Sequence, residues 1–139
     1  MTTVLFLCTA NAGRSQMAAA FFNALADPQR ARALSAGTRP GARVHPAVVT
    51  AMREAGLDVS HAQPQPLTPE LASTAALLIT MGCGDECPVV PGARRGDWPL
   101  ADPKDQPLEH VREIRDEIRG RVAALVRAEG WSRQEPSGS

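Results

Sequence analysis

Residues 4–16 read VLFLCTANAGRSQ, and this stretch decides the fold. Its first four residues are apolar without alternation, which predicts a short strand buried on both faces. Small residues follow Cys8, and the sequence continues as QMAAAFFNAL, which is rich in helix-forming residues. Cys8 is therefore expected at the carboxyl end of a strand, at the start of a loop that closes on a helix N-terminus.

The loop after this strand has the composition of an anion-binding site. A tight turn of small residues before a helix directs several backbone N–H groups into one concavity. Arg14 adds a planar guanidinium that can hold two oxygens of an oxyanion, and the positive field favours a nucleophilic thiolate at Cys8. The alternative is that Cys8 is an inert core residue. The residues expected to bind the oxyanion are Thr9, Ala10, Asn11, Ala12, Gly13, Arg14 and Ser15.

The rest of the chain predicts strands that alternate with helices. Strands are expected at 4–7, 31–36, 75–81 and 95–98, and helices at 14–26, 46–55 and 107–128, with a short helix capped by Thr68. This alternation predicts an α/β fold: a single-domain three-layer sandwich, with a four-stranded, mostly parallel sheet and helices on both faces. Residues 1–131 are assigned to this domain, and residues 132–139, which lack apolar side chains, to a flexible tail.

Composition excludes several function classes. The 139 residues suit one domain, and the formal net charge of zero gives no reason to expect nucleic acid or an anionic membrane as a partner. No apolar run has the length of a membrane span, and no leader peptide is evident, so a cytoplasmic protein is expected. Three cysteines are an odd count, and a secreted disulfide scaffold usually has more.

Cys83 and Cys87 follow the third predicted strand, at the sheet edge where Cys8 is also expected. Glycines on both sides of Cys83 suit a loop that can refold, and two thiols near a reactive thiolate suit sequential thiol–disulfide exchange. Zinc binding would need further ligands, and the spacing matches no zinc pattern, so no metal is predicted. The remaining alternative is that both cysteines are inert.

Several stretches resemble the low-molecular-weight phosphatase superfamily and, within it, the thioredoxin-coupled arsenate reductases. They are CTANAGRS after VLFL, SAGT, TMGC followed by CPVVPG, and DWPLADP, and they span residues 4–103. The resemblance implies an arsenate or phosphate oxyanion as substrate, with no cofactor. It implies that Asp102 donates a proton while Cys8 attacks arsenic, and that Cys83 and then Cys87 complete a disulfide relay regenerated by thioredoxin.

The same resemblance assigns Ser15 and Ser35 to holding the anion loop, in a protein expected to be a monomer. Cys83 and Cys87 are closer together here than in the best-known thioredoxin-coupled enzymes, and mycothiol with a glutaredoxin-like protein is the alternative reductant. Some members bind potassium through a glutamate where this chain has Ala19, so no potassium site is predicted.

Two rival functions remain open. A phosphotyrosine phosphatase usually has aromatic residues after its Asp-Pro, whereas Lys104 and Asp105 follow here and the chain has no tyrosine. A phosphoanion sensor or a redox-sensing module without turnover would share the loop but release no product.

Overall fold

The computed structural model of the chain describes residues 1–82 and 90–133. The strands are β1 (Thr2–Cys8), β2 (Ala31–Gly37), β3 (Leu77–Thr80) and β4 (Arg94–Asp97), and the helices are α1 (Arg14–Leu25), α2 (Pro46–Glu54), α3 (Pro69–Ser73) and α4 (Leu108–Ala128). The strands form one sheet in the order β2-β1-β3-β4, and every pairing is parallel. The predicted α/β fold with its four-stranded sheet is confirmed.

The strand order places a ligand-binding crevice above the carboxyl end of β1. The chain leaves β1 toward β2 on one side, and the later strands β3 and β4 lie on the other side. In open parallel sheets, such a reversal of strand order opens a crevice outside the carboxyl ends of the two strands. Cys8 is the last residue of β1, so the fold brings its thiol to this crevice.

The sheet is covered on both faces, which confirms the three-layer prediction. Val4 and Phe6 of β1 pack into the core formed with α1, α2 and α4, and Leu5 and Leu7 pack into a smaller cluster that includes Leu71 of α3. All four of these strand side chains are 0% exposed. A strand buried on both faces explains why the run VLFL does not alternate with polar residues.

Element boundaries differ from the sequence predictions by one or two residues at most ends. The third strand was expected over 75–81, but only Leu77–Thr80 pairs with both β1 and β4. Thr68 caps α3 as predicted, because its hydroxyl accepts a hydrogen bond from the Leu71 N–H. Where the structure describes the chain, no helix has both the length and the apolar character to cross a bilayer.

The first two residues of the predicted tail, Ser132 and Arg133, contact the end of α1. Ser132 forms an antiparallel bridge with Ala26, and Arg133 donates from Nε to the Ala24 carbonyl at 3.0 Å. The last carbonyls of a helix lack partners within it, and Arg133 supplies donors for those at the end of α1. Residues 134–139 lie outside the described part of the chain.

Candidate active site

Hydrogen bonds to its carbonyl oxygens hold the loop after β1. The carbonyls of Cys8, Thr9, Ala10 and Ala12 accept from backbone N–H groups within residues 38–45. A trans peptide carries its C=O and N–H on opposite sides, and no cis peptide bond occurs in residues 1–82 or 90–133. We therefore expect the N–H groups of the loop to point away from residues 38–45, into the concavity of an anion cradle.

Asn11 connects this loop to the cysteine. Its φ of 52° lies in the left-handed region, and its backbone N–H donates to Cys8 Sγ at 3.3 Å. Its side-chain Nδ2 donates to Ser15 Oγ at 2.7 Å, and Ser15 Oγ lies 2.9 Å from Cys8 Sγ. When Cys8 is ionised, the Ser15 hydroxyl must be the donor in that contact, so two donors converge on a sulfur that is buried in the fold.

Arg14 is the first residue of α1 and aims its guanidinium along the crevice. Its Nη1 donates to the Leu100 carbonyl at 3.2 Å, and its Nη2 lies 3.7 Å from Asp102 Oδ2. Its buried Nε has no hydrogen-bond partner among the residues described. A buried donor without a partner is costly, and an oxyanion bound in the loop would satisfy it.

Gly82 follows β3 and makes room for this guanidinium. Its φ is +94°, and a Cβ built on it would lie 2.3 Å from Arg14 Nη1. No other residue type fits there without moving Arg14, because any side chain begins with that Cβ. The backbone immediately before Cys83 is thus in close contact with the arginine of the anion loop.

Asp102 reaches the site because Pro103 packs against the anion loop. A Cβ at Gly13 would lie only 2.6 Å from Pro103 Cγ, so the close approach of this loop requires glycine. The Asp102 carboxylate accepts through Oδ1 from the Lys104 N–H at 3.0 Å and turns Oδ2 toward Arg14. The structure thus brings Cys8, Arg14 and Asp102, all predicted from the sequence, to one crevice.

Ser35 lies on β2 beside Phe6 of β1 and is buried. Its carbonyl accepts from Gln65 Nε2 at 2.8 Å, and the Gln65 N–H donates to Asn11 Oδ1 at 3.0 Å. Ser35 is therefore joined to the anion loop through Gln65, a residue that the sequence prediction missed. Gln65 lies between two prolines in a stretch interpreted only as a loop, and nothing in that pattern signals its role.

Cys83 and Cys87, the two remaining predicted site residues, lie outside the described part of the chain. In the part that is described, no three His, Cys, Asp or Glu side chains are grouped so that they could hold a metal ion.

At the same sheet edge, the hydrogen bond from the Thr80 hydroxyl and a second one from Arg95 lower the pKa of Asp97 below its ordinary value.

Comparison with known proteins gives one family match and several relatives. Residues 3–134 match the family described as low molecular weight phosphotyrosine protein phosphatase. A glutaredoxin arsenate reductase of Synechocystis sp. is 35% identical over 129 residues, covering 91% of this chain and 97% of that protein. An arsenate reductase of Bacillus licheniformis is 35% identical over 131 residues, covering 86% of this chain and 91% of that protein.

Among solved structures, the thioredoxin-dependent arsenate reductase of Corynebacterium glutamicum is similar to this chain with a TM-score of 0.79 and 39% identity. The similarity covers 92% of this chain but 61% of that one, so this chain spans less than two thirds of its length.

Proposed function

Because this chain belongs to the low molecular weight phosphotyrosine protein phosphatase family, we propose that it is an arsenate reductase with Cys8 as its nucleophile. One observation carries the proposal: the Cys8 sulfur is hydrogen-bonded within the loop after β1, beside the buried Nε of Arg14, which has no partner in the part of the chain that the structure describes. Relatives named as arsenate reductases match most of the chain, which favours reduction over ester hydrolysis.

In the first step, the loop N–H groups and Arg14 hold the oxygens of arsenate. The Cys8 thiolate attacks arsenic and forms a sulfur–arsenic bond, while one oxygen leaves as water with a proton from Asp102. Arsenic stays pentavalent in this step. Asp102 is suited to the role because its carboxyl lies at the mouth of the site, next to Arg14.

In the second step, the Cys83 thiolate attacks the Cys8 sulfur. The sulfur–arsenic bond breaks and its electron pair stays on arsenic, so arsenic becomes trivalent and leaves as arsenite. A Cys8–Cys83 disulfide remains, and the Cys87 thiolate then attacks Cys83 and releases Cys8. The roles of Cys83 and Cys87 are proposed from the sequence, and the two electrons come from the protein's own thiols.

Thioredoxin is the proposed reductant of the resulting Cys83–Cys87 disulfide. The name of the Corynebacterium glutamicum relative supports it, whereas the name of the Synechocystis relative points to glutaredoxin. Mycothiol with a glutaredoxin-like protein is the further alternative. The proposed working unit is a monomer in the cytoplasm, since one chain supplies every group named here and the relay needs reducing surroundings.

Arsenite production in three reductant systems tests the proposal. Reduced protein is given arsenate with thioredoxin, thioredoxin reductase and NADPH, with glutaredoxin and glutathione, or with mycothiol and its glutaredoxin-like partner. Arsenite is expected in the thioredoxin system, and Cys8→Ser should produce none because a hydroxyl here has no base to activate it. Absence of arsenite in all three systems would refute the proposal.

Phosphate-ester hydrolysis is the second candidate, because the family is named for it and the same loop would hold phosphate. The residues after Asp102 and Pro103 argue against a phosphotyrosine substrate, since Lys104 and Asp105 supply no aromatic surface for its ring. Hydrolysis of p-nitrophenyl phosphate without arsenite production would favour this function. A protein that only senses anions would yield neither product.

A further inference from the structure

Gln16 is a buried polar residue that the proposed reaction does not use. It lies in the first turn of α1 and is 7% exposed. Its Nε2 lies 3.0 Å from the Asn11 carbonyl oxygen, 3.2 Å from Asn11 Oδ1 and 3.3 Å from the Gln63 carbonyl oxygen. An amide oxygen in that place would face three acceptors, so these partners identify the nitrogen as the atom that points there.

These contacts make Gln16 the partner of one particular peptide in the anion loop. Backbone N–H groups donate to the carbonyls of Cys8, Thr9, Ala10 and Ala12. The Asn11 carbonyl instead accepts a hydrogen bond from the Gln16 side chain. Because a trans peptide places C=O and N–H on opposite sides, fixing the Asn11 carbonyl directs the Ala12 N–H into the concavity.

The same contacts hold Asn11 in an unusual conformation. Asn11 has a φ of 52°, a left-handed conformation that asparagine adopts more readily than most residues with a Cβ and that its hydrogen bonds fix here. Gln16 binds both oxygens of Asn11, and the Gln65 N–H binds one of them as well. With its oxygens held, Asn11 directs its backbone N–H to Cys8 Sγ and its Nδ2 to Ser15 Oγ.

We propose that Gln16 is a positioning residue for the oxyanion site. Its amide donors keep Asn11 left-handed, and thereby keep the Ala12 N–H and the surroundings of Cys8 arranged for the anion before it binds. This inference rests on the anion site of the proposed function, although it does not depend on which anion is turned over. Without these donors, the Asn11–Ala12 peptide can rotate, and a binding N–H is lost from the concavity.

Filling space beneath the loop is the competing explanation for a buried glutamine. Gln16→Met distinguishes a packing role from a positioning role, because methionine has a similar length but no hydrogen-bond donor. A packing role predicts unchanged anion binding in this variant, whereas a positioning role predicts weaker binding. Gln16→Glu also keeps the length but places a negative charge against three oxygens, so it should weaken binding more than Gln16→Met.

The experiment is titration calorimetry of the full, reduced chain with inorganic phosphate as the probe. We expect the phosphate Kd to rise roughly five- to fiftyfold in Gln16→Met, since the loss of a buried donor exposes unsatisfied acceptors. Melting curves recorded alongside show that each variant is folded at the temperature of titration. If Gln16→Glu does not fold, Gln16→Met alone decides the question, because it introduces no charge.

Asn23→Ala is the matched control on the same helix. Asn23 also joins α1 to neighbouring backbone through its amide, with Nδ2 3.1 Å from the Ala33 carbonyl oxygen and Oδ1 2.8 Å from the Ala33 nitrogen. Ala33 pairs with Val4, four residues before Cys8, which is roughly 13 Å along the strand. This variant should lower the melting temperature and leave the phosphate Kd unchanged.

A phosphate Kd in Gln16→Met equal to that of the parent protein would overturn the inference, whatever Gln16→Glu does. The same holds if Asn23→Ala raises the Kd as much as Gln16→Met does, because general destabilisation would then explain both. Phosphate binding requires no turnover, so this outcome is distinct from a failure of the proposed reduction, which would appear as absent arsenite with intact phosphate binding.

Discussion

Arg14 and Asp102 form an ion pair at the mouth of the anion loop, with Arg14 Nη2 and Asp102 Oδ2 3.7 Å apart. The Arg14 side chain is buried, with 7% of its surface exposed, whereas 54% of the Asp102 side chain is exposed. An oxyanion held by Arg14 would therefore lie within reach of a carboxyl that is open to water. When Asp102 carries a proton, its carboxyl is placed to donate that proton to a leaving oxygen.

Asp102→Asn should slow the first chemical step while phosphate still binds almost normally. Loss of a general acid typically reduces the rate roughly 10²- to 10⁴-fold, and an amide cannot take its place. The rate is measured as arsenate-dependent loss of the free Cys8 thiol in a single turnover. Asp105→Asn is the control, because Asp105 is close in sequence and its φ of 59° is tolerated by asparagine. Equal rates in the two variants would remove Asp102 from the mechanism.

Arg14→Lys should weaken oxyanion binding although it keeps the positive charge. Lysine cannot reproduce the planar fork that holds two oxygens at once, nor the buried Nε donor. We expect kcat/KM for arsenate to fall by on the order of 10²-fold, as for other groups that stabilise charge in the transition state. A variant with the kinetics of the parent protein would show that Arg14 supplies only charge.

Gly82→Ala should also weaken phosphate binding, although Gly82 has no functional group. The new Cβ would lie 2.3 Å from Arg14 Nη1, so the guanidinium or the backbone before Cys83 must move. Gly92→Ala is the matched control, since Gly92 has a φ of +84° but, among the described residues other than its chain neighbours, no atom within 4 Å of its Cβ position. Both variants carry the strain of a positive φ, but only Gly82→Ala should raise the phosphate Kd in calorimetry. Equal Kd values in the two variants would show that the contact with Arg14 is unimportant.

Glu54 should make the stability of the fold depend on pH. It lies on α2 and accepts hydrogen bonds from Arg112 and Arg115 of α4. The hydrogen bond from Arg112 is the largest cause that holds the pKa of Glu54 below its ordinary value of 4.5. Because the pKa is lower in the folded state than in the unfolded chain, this contribution to stability is present above pH 4.5 and is lost as the pH falls through the folded-state pKa.

Urea unfolding of the parent protein and of Glu54→Gln, at neutral pH and well below pH 4.5, measures this contribution. The parent protein should be the more stable of the two at neutral pH, and the difference should shrink in acid. A difference in unfolding free energy that is the same at both pH values would show that the charge of Glu54 does not matter. Salt should reduce the effect, since the ion pairs lie at the surface.

The strand–loop–helix unit around Cys8 could be predicted from the sequence because its signals are local. An apolar run, small residues, Arg14 and a helix-forming stretch are contiguous, and together they fix where the thiol and the guanidinium lie. The parallel sheet followed from the alternation of strands and helices. Asp102 was predicted from a short motif, and the structure explains its position by the contact between Pro103 and Gly13.

Contacts between distant segments could not be predicted in the same way. The hydrogen bond from Gln16 to the Gln63 carbonyl and the approach of Gly82 to Arg14 each join residues that are far apart in sequence. Neither contact produces a periodic or compositional signal in the sequence, because each depends on how the loops pack against the folded sheet. The hydrogen bonds of Arg133 to the end of α1 are of the same kind.

A single-turnover experiment on Cys87→Ser tests the proposed reduction most directly. The reduced variant is mixed with arsenate, arsenite is counted per chain, and digested peptides are analysed by mass spectrometry without reductant. The relay predicts one arsenite per chain and a disulfide-linked peptide pair containing Cys8 and Cys83, because no third thiol remains to resolve the bond. Sustained multiple turnover with thioredoxin, or arsenite released without any Cys8–Cys83 disulfide, would contradict it.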